Sequence, residues 1–421
     1  LNQRRIKAPR GTFDVLPEQA AARSAIEAHA RSLLEQAGYE RIETPALEAT
    51  DLFSLGVGEA TDIVQKEMFT LQDGSGRSLT LRPEGTAPVC RAYVEHGMHK
   101  RRQPVRLWYL SSFFRHERAQ AGRHRQFWQI GAEALGSDDP AVDAESILLL
   151  ATLLSQLQVK GARLRLSSLG SAEARAGYRE RLQGYLREHE RQLADDVRSR
   201  IELNPLRAFD SQDAGTRRVM GDAPRLLDQL GAEDAEHFAE VRALLDAAGV
   251  AYEVDSALVR GLDYYSRTVF EFTSDALGAQ SGVAGGGRYD GLVARLGGPP
   301  TPGMGWAAGI ERILLAGEPG GVPSAPPQLF IALSDGSRPQ RRREAFALLR
   351  QARAAGVRAQ MELAERSLKG QLGHASALGA SFVAIVEDSQ TVLRDMREGT
   401  QAPVPRHQTV AAVLEALKAS P

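Results

Sequence analysis

With 421 residues, a quarter of them charged and 43% hydrophobic, the chain is too long for one ordinary core and long enough for roughly two or three domains. No apolar run approaches the roughly 18 residues of a membrane span, and the single cysteine, Cys90, excludes an intramolecular disulfide and a multi-cysteine zinc site. The net charge of −1 hides a division: residues 326–421 carry thirteen Lys and Arg against nine Asp and Glu, so the tail is +4 and residues 1–325 are −5.

Residues 1–10 are polar and basic and lack the apolar stretch of a secretory signal, so a cytoplasmic location is expected. Residues 17–37 predict an amphipathic helix. Pro17 suits a first helical position, Ile26, Ala30, Leu33, Leu34 and Ala37 recur on one face, and Gly38 ends it. Residues 39–45 alternate as an extended stretch, and Pro45, which has no N–H, points to a sheet edge or an interface. Strand-like stretches follow at 79–81, 105–114, 126–134, 163–167, 269–272 and 283–284. The helices between them alternate too irregularly for a doubly wound sheet, so the expected fold class is α+β on an antiparallel sheet.

Residues 171–248 are charged and poor in strand signals, which predicts a largely helical insertion. Residues 317–327 hold four prolines and three glycines in eleven positions, the composition of a linker. Beyond it, strand 329–333, helix 340–354, strand 358–363, helix 368–378, strand 382–386 and a helix from Val410 predict a short α/β alternation. It has no Gly-rich first turn, so a nucleotide pocket is not expected there.

No lysine follows a glycine anywhere, which excludes a Walker A loop, and no His-Glu-x-x-His pattern occurs; any polyphosphate must be held by arginine. Residues 100–125 hold eight Lys and Arg and one acid, Glu117, with Trp108, Tyr109, Phe113 and Phe114 interleaved, which suits either a solvated face or contact with a polyanion. Within this run, Arg115, Arg118, Arg123 and Arg125 surround a glycine turn between two strand-like segments. A guanidinium on a strand matches phosphate oxygens in pairs. Residues 303–312, Gly-Met-Gly-Trp-Ala-Ala-Gly-Ile-Glu-Arg, read as a glycine-rich strand entering a helix, a pattern that close helix packing on a sheet would also produce.

Together these two segments resemble motifs 2 and 3 of the class II aminoacyl-tRNA synthetases, and residues 42–51 with Pro45 resemble motif 1, which in that family lies at the dimer interface. Val259-Arg260-Gly261-Leu262-Asp263-Tyr264-Tyr265 and Gly286-Gly287-Arg288-Tyr289-Asp290-Gly291 look like the two histidine-specific motifs of the histidyl-tRNA synthetases, and Leu81-Arg82-Pro83-Glu84-Gly85-Thr86-Ala87 matches the same family. The resemblance runs from Arg10 to about residue 415. It implies a catalytic domain in two parts, 1–170 and 249–325, around the insertion 171–248, followed by an anticodon-binding domain at 326–421. It further implies activation of L-histidine by ATP with Mg2+, transfer to the 3′ end of tRNA(His), and a homodimer, with no fixed metal site made by protein alone and no membrane contact.

By the same resemblance, Arg115 holds the α-phosphate, Arg312 the γ-phosphate, and Arg260 bridges the substrate carboxylate and the α-phosphate. Glu84, Thr86 and Gln129 hold the α-amino group, Glu133, Tyr265 and Tyr289 the imidazole ring, and Gln120 and Arg123 the tRNA acceptor end. The chain departs from the family pattern at Ala119, where proline is common, at Trp128, where histidine is common, and at Ser266-Arg267 after the double tyrosine; none of these removes an implied ligand. The alternative is a histidine-sensing regulatory relative that serves ATP phosphoribosyltransferase. Such relatives lack the tail domain and usually the catalytic arginines.

Overall fold

A computed structural model describes residues 6–59, 61–117, 120, 122–258, 261–278, 281–320, 325–334 and 339–419. The chain separates into two compact units, residues 1–321 and 322–421.

The strands of the first unit are β1 (Glu40–Arg41), β2 (Leu47–Ala49), β3 (Phe69–Gln72), β4 (Ser78–Leu81), β5 (Val105–Phe114), β6 (Gln126–Leu135), β7 (Ala162–Ser168), β8 (Glu253–Val254), β9 (Ser266–Ser274), β10 (Gly282–Arg288) and β11 (Gly303–Gly309). Eight form one sheet in the order β1-β5-β6-β11-β10-β9-β7-β8, and β2-β4-β3 form a small second sheet. The six long strands of the large sheet pair antiparallel, while the two-residue edge strands β1 and β8 run parallel to their neighbours. The expected α+β class on an antiparallel sheet is what forms.

Alternation along the strands sorts the side chains into two faces. One face carries Trp108, Ile130, Ala132 and Ala134 and is covered by the helices Pro17–Gln36, Pro140–Gln156 and Ala232–Ala247, whose Ile26, Leu34, Ile147, Leu150, Val241 and Leu245 complete a single apolar core. Pro17 starts the first of these helices, and Gly38, at φ +80°, turns the chain out of it. The other face carries Leu107, Tyr109, Phe113 and Leu135 beneath helix Thr86–Glu95. Between β7 and β8 every described element is a helix, from Ala172–Glu188 to Ala232–Ala247.

Two stretches differ from the sequence expectation for identifiable reasons. The extended stretch 39–45 pairs only over β1, at the sheet edge; beyond it the carbonyls of Thr44 and Pro45 accept from the Arg82 guanidinium, at 2.6 and 3.3 Å, in place of a ladder. Strand β10 spans seven residues rather than two, because its glycines give no apolar signal yet their backbone pairs with β9 and β11 on both sides.

The second unit holds β12 (Leu329–Leu333), β13 (Ala359–Met361), β14 (Phe382–Val386), β15 (Thr391–Asp395) and β16 (Gln401–Val404) in the order β13-β12-β14-β15-β16. The first three are parallel and alternate with helices Pro339–Ala354 and Leu368–Ala377, as the sequence predicts. The antiparallel pair β15 and β16 goes beyond the expected alternation. Pro403 lies on the edge strand β16, where a missing N–H disturbs the ladder least.

Candidate active site

Glu133 stands on β6 at the middle of the second face and is fully buried. The neighbouring positions are glycines: Gly131 two residues earlier and Gly305 directly across on β11. A Cβ at Gly305 would collide with Glu133 Oε2, and one at Gly131 with the Tyr109 ring. Their absence lets large polar side chains lie down on the sheet. Gly305→Ala is therefore expected to force the carboxyl aside and to lower stability by about 1–3 kcal/mol, the usual cost of overfilling a packed interior. Urea unfolding measures this, and an unchanged midpoint would show that the carboxyl has room to retreat.

Three hydroxyls donate to Glu133: Thr86 Oγ1 at 2.8 Å and Tyr109 OH at 3.3 Å to Oε1, and Tyr289 OH at 2.6 Å to Oε2. Burial nevertheless pushes its pKa up to about 8; the bonds from Tyr289 and Thr86 pull it down, and the charge of Glu84 raises it further. Glu84 follows β4 and accepts the N–H groups of Thr86 and Ala87, at 2.7 and 2.9 Å, at the start of helix Thr86–Glu95. Burial also raises its pKa, while those two N–H groups and Arg115 favour its charged form. Tyr264 OH donates to Glu84 Oε2 at 3.3 Å. The rings of Tyr265 and Tyr289 lie 4.8 and 5.8 Å from that of Tyr264, so three tyrosines wall the pocket. Arg288, fully buried, ties the end of β10 to Asp143 of helix Pro140–Gln156 at 3.1 Å and to Asp290 at 3.1 Å, which holds the Tyr289 backbone between them.

Gln129 shares the pleat face of Glu133, about 13 Å along β6 at the usual rise. There it lines a cleft of about 350 Å³, together with Arg115, Arg123, Phe127, Glu271 and Arg312. Arg115 Nε donates to the Pro83 carbonyl at 2.9 Å, and its guanidinium lies over the Phe127 ring, 5.4 Å from the centroid. It thus stands between the cleft and Glu84. Arg312, in the first turn of helix Ile310–Ala316, donates Nε to the Gly282 carbonyl. Burial and the nearby Arg123 lower its pKa, a crowding of positive charge that a bound polyanion would relieve. Arg123 also meets Glu117 at 3.1 Å and pairs with Gln120 backbone to backbone across the turn, at 2.9 and 3.0 Å.

The structure therefore brings Glu84, Thr86, Glu133, Tyr265 and Tyr289 together in one pocket, and Arg115, Gln129, Arg123 and Arg312 in the adjoining cleft. Arg260 lies outside the described residues. Trp128 points to the opposite face, where the Arg23 guanidinium stacks 4.5 Å from its ring, so its departure from the family pattern leaves the pocket untouched. Tyr109 and Tyr264 are pocket residues to which the motif resemblance assigns no role. Alternation with Leu107 and Phe113 on β5 is a signal that would have placed Tyr109. For Tyr264, two adjacent tyrosines do not reveal which hydroxyl meets which acid. Among the described residues no group of three His, Cys, Asp or Glu side chains is placed to hold a metal ion.

Two buried carboxyls among three tyrosines, on one face of an antiparallel sheet, adjoin a cleft lined by arginines, in a chain that has no glycine-lysine phosphate loop. That arrangement defines a class II aminoacyl-tRNA synthetase. More narrowly, the chain belongs to the histidyl-tRNA synthetase family, whose sequence pattern matches residues 11–313. It is 46% identical over 410 residues to the histidine-tRNA ligase of Desulfitobacterium hafniense, covering 95% of this chain and 96% of that one. Its fold matches apo S. aureus histidyl-tRNA synthetase with a TM-score of 0.79 at 34% identity, over 97% of this chain and all of the other. An ATP phosphoribosyltransferase regulatory subunit/histidyl-tRNA synthetase from Bacillus halodurans matches less well, with a TM-score of 0.62 at 25% identity over 87% of this chain and 96% of that one.

Proposed function

We propose that the chain ligates L-histidine to the 3′ end of tRNA(His) in two steps, using ATP. The observation that carries the amino-acid assignment is Glu133: a buried carboxyl whose pKa stays high despite three hydroxyl donors and which, among the described residues, pairs with no cationic partner. An imidazole N–H, able to carry positive charge, supplies one. Glu84, Thr86 and Gln129 then face the α-amino group, with Tyr265 and Tyr289 beside the ring.

In the first step a carboxylate oxygen of histidine bonds to the α-phosphorus, and pyrophosphate leaves with the electrons of the broken P–O bond. Two anions must meet, so cations have to gather where the charge builds up, which is the role of Arg115, Arg312 and, from its motif, Arg260. ATP enters as its Mg2+ complex. Magnesium is commonly held by substrate phosphates and one or two carboxylates, and Glu117 and Glu271 are carboxylates that line the cleft. In the second step the terminal ribose 3′-hydroxyl of the tRNA attacks the histidyl carbonyl and AMP departs. Gln120 and Arg123, at the turn beside the cleft, face the acceptor end.

The second unit, within which residues 326–421 are +4, grips the anticodon arm. Leu47, Leu55 and Leu71 stand exposed on the small sheet and the helix Thr50–Val57 beside it, which supports a homodimer formed there. The location is cytoplasmic; among the described residues no helix is long and apolar enough to cross a membrane. The regulatory alternative is not favoured, since Arg115 and Arg312 line the cleft and a second unit is present. ATP–pyrophosphate exchange measured with each amino acid in turn tests the proposal. Histidine alone should support exchange, and exchange driven by another amino acid, or by none, would sink it.

A further inference from the structure

The backbone that follows the double tyrosine is held from outside the sheet. The Tyr265 carbonyl accepts a hydrogen bond from the guanidinium of Arg175, in the first turn of helix Ala172–Glu188. Burial lowers the Arg175 pKa while Asp263 favours its charge, so this cation is committed to the segment that carries the tyrosines. Two residues on, Arg267 adopts φ +44°, a left-handed conformation that side-chain-bearing residues seldom take. Its backbone joins the residues that lead into the same helix: Leu169 N donates to Arg267 O at 2.7 Å, and Arg267 N donates to Gly170 O at 2.8 Å.

The Arg267 guanidinium runs instead to the first turn of helix Ala232–Ala247. Its Nε donates to Asp234 Oδ1 at 3.0 Å, and Nη2 pairs with Glu233. Asp234 Oδ2 also accepts from Ser171 N at 2.7 Å, which fastens the last helix of the inserted stretch to the start of its first. Both ends of the helical stretch therefore close on residues 265–267. Tyr264 and Tyr265, immediately before, wall the pocket.

We propose that Arg175, and Arg267 through its bond to Asp234, are positioning residues that set the tyrosine wall of the histidine pocket according to where the helices of 172–247 sit. The inference rests on the histidine-binding assignment above. Neither arginine lines the cleft that holds Arg115 and Arg312, so the effect falls first on the amino acid.

The test compares Arg175→Ala, Arg175→Lys and Arg267→Gly with the unaltered protein in ATP–pyrophosphate exchange. Glycine accepts φ +44° without strain, so Arg267→Gly deletes the guanidinium link and keeps the backbone. The KM for histidine should rise about tenfold in Arg175→Ala and Arg267→Gly, the size of one charge-assisted hydrogen bond, while the KM for ATP stays within about twofold. Arg175→Lys, which keeps a cationic donor, should recover most of the loss. A merely structural role would lower Tm and active fraction without separating the two KM values. Equal movement of both KM values, or no movement in the variant that folds, overturns the inference. Failure of the unaltered protein to exchange with histidine would overturn the assignment it rests on, and the two failures are distinct.

Discussion

Arg115→Ala is expected to lower histidine-dependent ATP–pyrophosphate exchange by about 10²–10³-fold, the equivalent of roughly 3–4 kcal/mol of transition-state stabilisation. The side chain is placed for this. Nε is spent on the Pro83 carbonyl, Nη1 lies 3.7 Å from Glu117, and Cζ sits 5.4 Å from the Phe127 ring centroid, so the fork is held beside the cleft. Preorganisation of this kind does not have to be built during the reaction, which is why one donor carries so much. Arg115→Lys keeps the charge but loses the fork and the stacking, and should recover only part of the rate. Arg115 also favours the charged form of Glu84, so a smaller rise in the KM for histidine should accompany the fall in kcat. Arg260→Ala should cost as much through kcat, on the proposed role of Arg260 as the bridge between carboxylate and α-phosphate. Exchange kinetics and urea midpoints on the same samples separate chemistry from folding. Near-normal exchange in either folded variant would remove the arginine account of ATP activation.

The fold was legible where alternation is long and apolar. The hairpin of β5 and β6 shows itself in the sequence because Leu107, Tyr109 and Phe113 alternate with residues of the opposite face over ten positions. β10 showed only its start, residues 283–284, for a reason that belongs to the site: side chains at Gly286 and Gly287 would meet Trp306, the Thr268 carbonyl and the Tyr265 ring, so the rest of the strand has given up the pattern that would announce it. β15 and β16 are short and partly polar, and their pairing is decided by β14 rather than by their own residues. Within the site, motif resemblance pointed to Glu84, Glu133 and Tyr289, but these stand on three separate segments, after β4, on β6 and after β10. Only the folded sheet shows that Thr86, Tyr109 and Tyr289 all spend their hydroxyls on one carboxyl.

That carboxyl supports the other large expectation. Glu133→Gln keeps the shape but removes the charge, and an amide nitrogen cannot accept a hydrogen bond from a tyrosine or an imidazole N–H. The KM for histidine should rise by about 10²-fold or more, with the KM for ATP little changed, because a site built for polar groups loses most when one of them is left unmatched. The same variant reads the proton. In the folded protein Glu133 titrates at about 8, against an ordinary value of 4.5, with burial the main cause. Between those limits the folded chain retains a proton that the unfolded chain has released. The contribution of this group to stability is therefore complete below about pH 4.5 and disappears as the pH rises through about 8. Glutamine does not titrate, so the difference in unfolding free energy, native minus variant, should fall steadily from about pH 5 to about pH 9. A flat difference would mean that the carboxyl is already ionised in the empty pocket. Saturating histidine should restore part of the stability lost on the alkaline side, since a ring N–H gives the anion a further hydrogen-bond donor. This makes the tightening of the native protein by histidine larger at alkaline than at acid pH, and the variant should show no such trend.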